Sequence, residues 1–211
     1  MKTLFLSALT LIVLTLSGCG SGHNSDPPPL FNTQILSDAA LDGDIVKPFV
    51  GGTVAITQGL ALEYSAGFDS VAEWRAFLQF PLDGVGGVPA GAAIQSATLD
   101  LLVFSTFTSA IPIRIELVDL DLGSLVPDDF DLTQALATTT ILVPTSQTSF
   151  GQHVFVDVTA LMQRAQDLGL PIFQVRILVD PAVTTPGFID INDARVDRAT
   201  LAPLLDVNYF Y

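Results

Sequence analysis

Few residues in this chain could do chemistry, and their spacing argues against most kinds. Nucleophilic catalysis sets a Ser, Thr or Cys against a base and an orienting acid. The 211 residues include two histidines, His23 and His153, and one cysteine, Cys19. His23 lies in a Gly/Ser/Pro-rich stretch that is read as a flexible tether. His153 opens a strand beside Gln152, where it reads as an edge histidine and remains a candidate ligand contact. The sequence has no GxSxG, no HExxH and no phosphate-cradling glycine loop ahead of a helix. A zinc centre takes three or four nitrogen or sulfur ligands, which two histidines and one cysteine do not supply in any useful spacing.

The acidic residues suit calcium better, since it accepts carboxylates and backbone carbonyls presented by loops. Asp42 with Asp44, Asp119 with Asp121, Asp128 and Asp129 with Asp131, and Asp190 with Asp193 and Asp197 are the clusters available. The set Asp190, Asp193 and Asp197 is the first choice for a structural calcium. None of the clusters has EF-hand spacing, and carboxylates in β turns also serve as caps and solubilising groups. The only glutamates are Glu63, Glu73 and Glu116. Glycoside hydrolysis needs two carboxylates about 5 to 9 Å apart in a cleft, and a wealth of acids does not by itself define such a pair. Rings with a polar handle can stack on sugars; here they are Trp74, Tyr64, Tyr209 and Tyr211. Trp74 shares a face with Leu78 and Phe80, which favours the core. Tyr64, Trp74, Glu116, His153 and Tyr209 are the candidate ligand contacts, no residue set specifies catalysis, and the expectation is a non-catalytic recognition or assembly module, with carbohydrate binding as the alternative and a polysaccharide hydrolase third.

The elements that would position these residues begin with an export signal. Met1-Lys2-Thr3 is a small positive n-region, residues 4–16 an apolar stretch of signal-peptide length, and Ser17-Gly18 the small residues before a cut. The run Leu16-Ser17-Gly18-Cys19 resembles a bacterial lipobox. That resemblance implies cleavage before Cys19, diacylglycerol on its sulfur and a further acyl chain on its amine; an ordinary secretory signal or an uncleaved anchor are the alternatives. Each buried CH₂ contributes about 0.8 kcal/mol, so two or more chains hold firmly. The expected organisation is a signal at 1–18, a lipidated proline-rich tether at 19–33 that includes Pro27-Pro28-Pro29, and one domain at 34–211. Gly20 in place of an aspartate favours the outer membrane.

Loss of residues 1–18 removes Lys2 and takes the formal net charge from −14 to −15. Such a field repels nucleic acid and anionic lipid, leaving the lipid as the membrane contact and a polysaccharide or an envelope protein as candidate partners. With no second cysteine there is no disulfide, and stability rests on the core.

After the tether come short apolar or alternating runs broken by Gly, Pro and Asp, an all-β pattern. Strands are expected at 53–62, 74–80, 94–106 (with a bend or bulge), 111–120, 154–158, 173–179 and 205–211. Ile111, Ile113, Ile115 and Leu117 oppose Arg114 and Glu116, and Phe173, Val175 and Ile177 oppose Gln174 and Arg176. Each set predicts one buried and one wet face. One helix is expected near 159–168, capped by Thr159, stopped by Gly169, with Leu161, Ala165 and Leu168 on one face. A weaker helical pattern covers 132–137. The sum is a two-sheet antiparallel β-sandwich of jelly-roll type.

Three stretches carry a family resemblance. They are Trp74-Arg75-Ala76-Phe77-Leu78-Gln79-Phe80-Pro81-Leu82 with the Val88-to-Leu101 segment behind it, Val154-Phe155-Val156-Asp157-Val158-Thr159-Ala160-Leu161, and the terminal run from Asp190 through Arg195 and Arg198 to Tyr209. In order and spacing they resemble the DNRLRE-type domain of secreted and surface proteins, a relative of jelly-roll carbohydrate-binding modules. The family's namesake letters are not intact here. The resemblance implies a β-sandwich with an extracellular accessory role and no catalytic residue.

Overall fold

The computed structural model describes residues 27–59, 61–106, 110–120, 123–132, 134–143, 151–193 and 203–211. Among these residues twelve strands and one α-helix follow in chain order: β1 (Leu30–Leu36), β2 (Gly43–Pro48), β3 (Ala55–Gln58), β4 (Glu63–Phe68), β5 (Ala72–Pro81), β6 (Ala93–Thr106), β7 (Ile111–Val118), β8 (Ala137–Val143), β9 (Gln152–Asp157), α1 (Thr159–Leu168), β10 (Ile172–Val179), β11 (Gly187–Asn192) and β12 (Leu204–Phe210). Every pairing among them is antiparallel.

The strands form one hydrogen-bonded network in the order β1-β12-β6-β11-β4-β5-β10-β7-β8, with β2 and then β3 branching from β5, and β9 from β6. That network folds over at a narrow joint. β4 and β5 pair through Gly67↔Trp74 and Phe68↔Glu73, after which β4 runs with β11 and β5 with β2 and β10. One leaf thus holds β9, β6, β12, β1, β11 and β4; the other holds β3, β2, β5, β10, β7 and β8. Their inner faces share one core, in which Tyr64, Leu99, Val103, Ile191 and Val207 of the first leaf join Leu78, Phe80, Ile115, Phe173 and Ile177 of the second. The result is an all-β, sandwich-like domain. Gly67 sits at the joint with φ +143°, where a Cβ would lie 2.3 Å from the Gly187 carbonyl oxygen. Only glycine permits that backbone and that approach.

Local chemistry explains the departures from the sequence reading. Gly59, at φ 67°, ends the first expected strand early, leaving β3 with four residues. The helical pattern at 132–137 gives no helix among its described residues: 132 and 134–136 are irregular, and Ala137 opens β8, whose β-branched run Thr138-Thr139-Thr140-Ile141 favours the extended chain. The nearby helical turn is instead a 3₁₀ turn at Pro127–Asp129, held by the Asp129 carboxylate on the Val126 N–H at 2.8 Å. β6 is long and irregular as expected, with register shifts against both β11 and β12. β1 begins at Leu30, within the stretch read as tether.

α1 closes one end of the sandwich against β6, β7, β8 and β10. Thr159 is not its cap; the Thr159 hydroxyl accepts the Ala97 N–H at 2.9 Å, tying the helix start to β6. The Asp157 carboxylate takes the Thr159 N–H at 2.9 Å instead. Gly169, left-handed at φ 65°, ends the helix. The buried face is Leu161, Met162 and Ala165, while Leu168 is exposed.

The largest correction concerns the outer face of the second leaf. Residues 119–120 and 123–132 lie across it and form a second apolar cluster, with Leu120, Leu125 and Phe130 packed on Ile45, Phe77 and Val118. Glu116, Gln174 and Arg176, expected on a wet face, are therefore 2–3 % exposed.

Candidate functional site: a groove at the loop end

Two adjoining cavities of about 280 and 220 Å³ lie where the β2–β3, β4–β5 and β10–β11 connections meet the returning segment. Phe49, Glu73 and Arg75 line both, making one groove. Phe68, Val179, Pro181 and Val183 extend its apolar wall on one side; Lys47, Phe130 and Asp131 close the other. A third cavity of about 310 Å³ lies beside α1, and no aromatic side chain lines it.

Each wall has a local cause. Phe49 leaves β2 just past Pro48 and is pinned by its N–H on the Val71 carbonyl at 2.9 Å. The residue is 52 % exposed, and its ring meets Phe68 edge-on at 6.5 Å. Arg75 projects from β5 over the Phe130 ring, 4.0 Å from its centroid, donates its Nε–H to Glu73 at 2.7 Å and donates to the Phe130 carbonyl. Lys47 lies 5.2 Å from the same ring and pairs with Asp131 at 2.5 Å. The Phe130 ring thus contacts two cations.

Beneath the groove, a buried charge network holds the returning segment in place. Arg176 donates its Nε and Nη2 to one Glu116 oxygen at 2.8 and 2.5 Å. It also donates to the carbonyls of Asp129, Phe130 and Leu132 at 3.2, 3.1 and 2.7 Å. Arg114 takes the other Glu116 oxygen at 2.9 Å. Gln174 adds a contact at the segment's start, accepting the Leu120 N–H at 2.7 Å and donating to Gln79 at 3.1 Å. Four of the five cations among the described residues (Lys47, Arg75, Arg114 and Arg176) gather on this one face, with Arg164 in α1 as the fifth. Fixing backbone carbonyls with arginines is what lets a loop form a rigid wall.

No protein-family model and no curated protein matches this sequence.

The candidate residues scatter around this groove. Trp74, next in chain to Glu73 and Arg75, faces the other way; it is half-buried against Phe188, centroids 5.8 Å apart. Glu116 lies under the groove, consumed by the arginines. Tyr64 is fully buried; burial pushes its phenol pKa up, and the charges of Asp193 and Asp42 add to that. Tyr209 is buried and stacks on Phe31 at 5.7 Å. His153 is exposed on the outer face of the first leaf, its Nδ1 2.7 Å from an Asp100 oxygen and its ring stacked on Phe155 at 5.9 Å. Of the calcium set, Asp190 accepts the Ser65 hydroxyl at 2.7 Å on the outer face of its strand, Asp193 is buried near Tyr64, and Asp197 lies outside the described residues, as does Cys19. Among the described residues, no three His, Cys, Asp or Glu side chains are placed to hold a metal ion.

A separate acidic group surrounds Ser65. Asp44 accepts the Ser65 N–H at 3.0 Å. Burial raises the Asp44 carboxyl above its ordinary value, against hydrogen bonds from Ser65 and Thr57 that hold it down. Glu63 is raised as well, by burial and then by the charge of Asp190.

Sequence reasoning missed Phe49, Phe68, Arg75 and Phe130. One signal was present: Phe49-Val50 directly precedes Gly51-Gly52, and two large apolar residues at the start of a glycine turn have no strand face to bury them.

Proposed function

We propose that this chain is an exported lipoprotein, anchored through acyl chains on Cys19. In this reading a jelly-roll-like sandwich of DNRLRE type acts as a non-catalytic recognition module, and the loop-end groove binds a segment of oligosaccharide. The observation that carries the reading is the exposed Phe49 ring, set in a groove with Glu73, Arg75, Lys47, Asp131 and Asp180 around it. An aromatic face supplies apolar contact to a sugar ring while a few fixed polar groups set its orientation. Glu73 and Asp131 are engaged by Arg75 and Lys47, which suits them to hydrogen bonding rather than proton transfer. Neither a membrane-crossing helix nor a metal enters this proposal.

Titration calorimetry of the purified chain against neutral and uronate-containing oligosaccharides tests it. Phe49→Ala is expected to weaken binding about tenfold, or about 1.4 kcal/mol, without moving the unfolding midpoint. Absence of binding across the panel, or binding indifferent to Phe49→Ala, overturns the groove assignment. The anchor is tested separately by mass spectrometry: acyl mass on a chain beginning at Cys19 supports it, and an unacylated chain refutes it.

A further inference from the structure

Among the described residues β1 is the terminal strand of the first leaf and pairs with β12, while its Thr33 hydroxyl donates to the Gly86 carbonyl of the β5–β6 loop at 2.6 Å. Ser37 donates its N–H to the Pro203 carbonyl, which continues the β1–β12 register. Hydrogen-bonded and non-bonded pairs alternate along an antiparallel ladder. Thr33 and Ile35 therefore bond toward β12, and the N–H and C=O groups of Leu30, Asn32, Gln34 and Leu36 point out from the sheet edge. Natural edge strands are usually defended by charge, proline or a bulge. This one, Leu-Phe-Asn-Thr-Gln-Ile-Leu, has none of these, and Leu30, Phe31 and Leu36 are 53, 43 and 39 % exposed.

The strand is also chemically palindromic about Thr33. Antiparallel pairing with a second copy centred there sets Leu30 against Leu36, Phe31 against Ile35, Asn32 against Gln34 and Thr33 against itself. In that register every outward-pointing residue meets another outward-pointing residue, so each such pair completes both of its N–H···O bonds. The pairing sets no carboxylate against another, because β1 carries no charged side chain, whereas the β9 edge would bring Asp157 with it. Pro27, Pro28 and Pro29 precede the strand and lack the donors to extend pairing, which ends the ladder at Leu30.

We propose that two copies of this chain associate through their β1 strands, antiparallel about a two-fold axis at Thr33, making one sheet continuous across the pair. The proposal stands independently of the groove's ligand. A strand-to-strand junction is smaller than the roughly 1,200–2,000 Å² of stable interfaces, so the pair is weak and concentration-dependent.

Disulfide trapping of the purified full chain tests it. In the proposed register Thr33 faces its own copy as a non-hydrogen-bonded pair, with Cα atoms about 4.5 Å apart, within disulfide reach. Under mild oxidant Thr33→Cys should run mainly as a covalent dimer, at least about tenfold above the unsubstituted chain, whose sole cysteine, Cys19, sets the background. Leu36→Cys, about six strand residues from its own copy, should not cross-link. Adding Leu30→Glu and Leu36→Glu to Thr33→Cys should abolish the dimer while the unfolding midpoint holds. A monomeric Thr33→Cys overturns the proposal, and so does equal cross-linking by Leu36→Cys. Sedimentation of the unsubstituted chain gives a reading free of any variant's folding: a reversible monomer–dimer equilibrium supports the pair, and a monomer at all concentrations refutes it.

Discussion

The two leaves bury their inner faces alike and treat their outer faces in opposite ways. On the first leaf, Asn32, Gln34, Asp206 and Asn208 form an open ladder in which Asn32 and Gln34 donate to Asp206 at 2.8 and 2.9 Å, in the same sheet face as exposed His153 and Phe155. On the second leaf, Gln79, Glu116, Gln174 and Arg176 occupy the equivalent alternating positions, yet they are 2–3 % exposed beneath residues 119–120 and 123–132. Solvent can replace a lost partner on the first face and cannot on the second. Identical period-two patterns therefore carry very different energetic weight, depending on whether a chain segment returns over them.

Removing Arg176 should separate the two faces most sharply. Arg176→Met strands a buried Glu116 and frees three carbonyls, an expected cost of about 3–5 kcal/mol by denaturant unfolding. The double variant Arg176→Met/Glu116→Leu should recover part of that loss, because no charge is then left buried without its main partner. A double variant as unstable as the single one would mean that the carbonyl contacts, not the ion pair, dominate. Next, Gln174→Ala leaves the buried Leu120 N–H without its acceptor and should cost about 1–3 kcal/mol. Asp206→Ala, on the open face, should cost less than about 1 kcal/mol; a loss approaching that of Arg176→Met would break the contrast.

The smallest effect is a pH dependence with a defined sign. The folded-state values of Asp44 and Glu63 lie above their ordinary ones, so between the two the native state binds more protons than the unfolded chain. Stability should then rise as pH falls from neutral into that window. Asp157 has the opposite sign. Its carboxyl is held below the ordinary value by the Thr159 hydroxyl and N–H, and its contribution is lost only as pH falls below the usual aspartate range. Asp44→Asn should flatten the rise seen on mild acidification, while Asp157→Asn should leave it intact and soften the loss in stronger acid. Thermal melts between neutral and acidic pH distinguish the two.

How much was legible follows from the range of the forces involved. Inner-face residues such as Ile113, Ile115, Phe173 and Val175 were readable because alternation is local and burial follows from it. Glu116 was misplaced, and for one reason: its neighbours on β7 fix which way it points, whereas its exposure depends on Phe130 and Leu125, which no local pattern connects to it. The groove was missed on the same ground. Phe49, Arg75, Phe130 and Val183 come from four separate segments, and only the paired register of β2, β5 and β10 brings them together. By itself the sequence determined the all-β class, the inner faces and a helix near 159–168 ended by Gly169, since side-chain periodicity and turn glycines act within a few residues. Tertiary structure alone decided which polar face stays wet, where a cavity opens and which edge stays bare, because each depends on a non-local segment covering a surface whose local chemistry is indifferent to it.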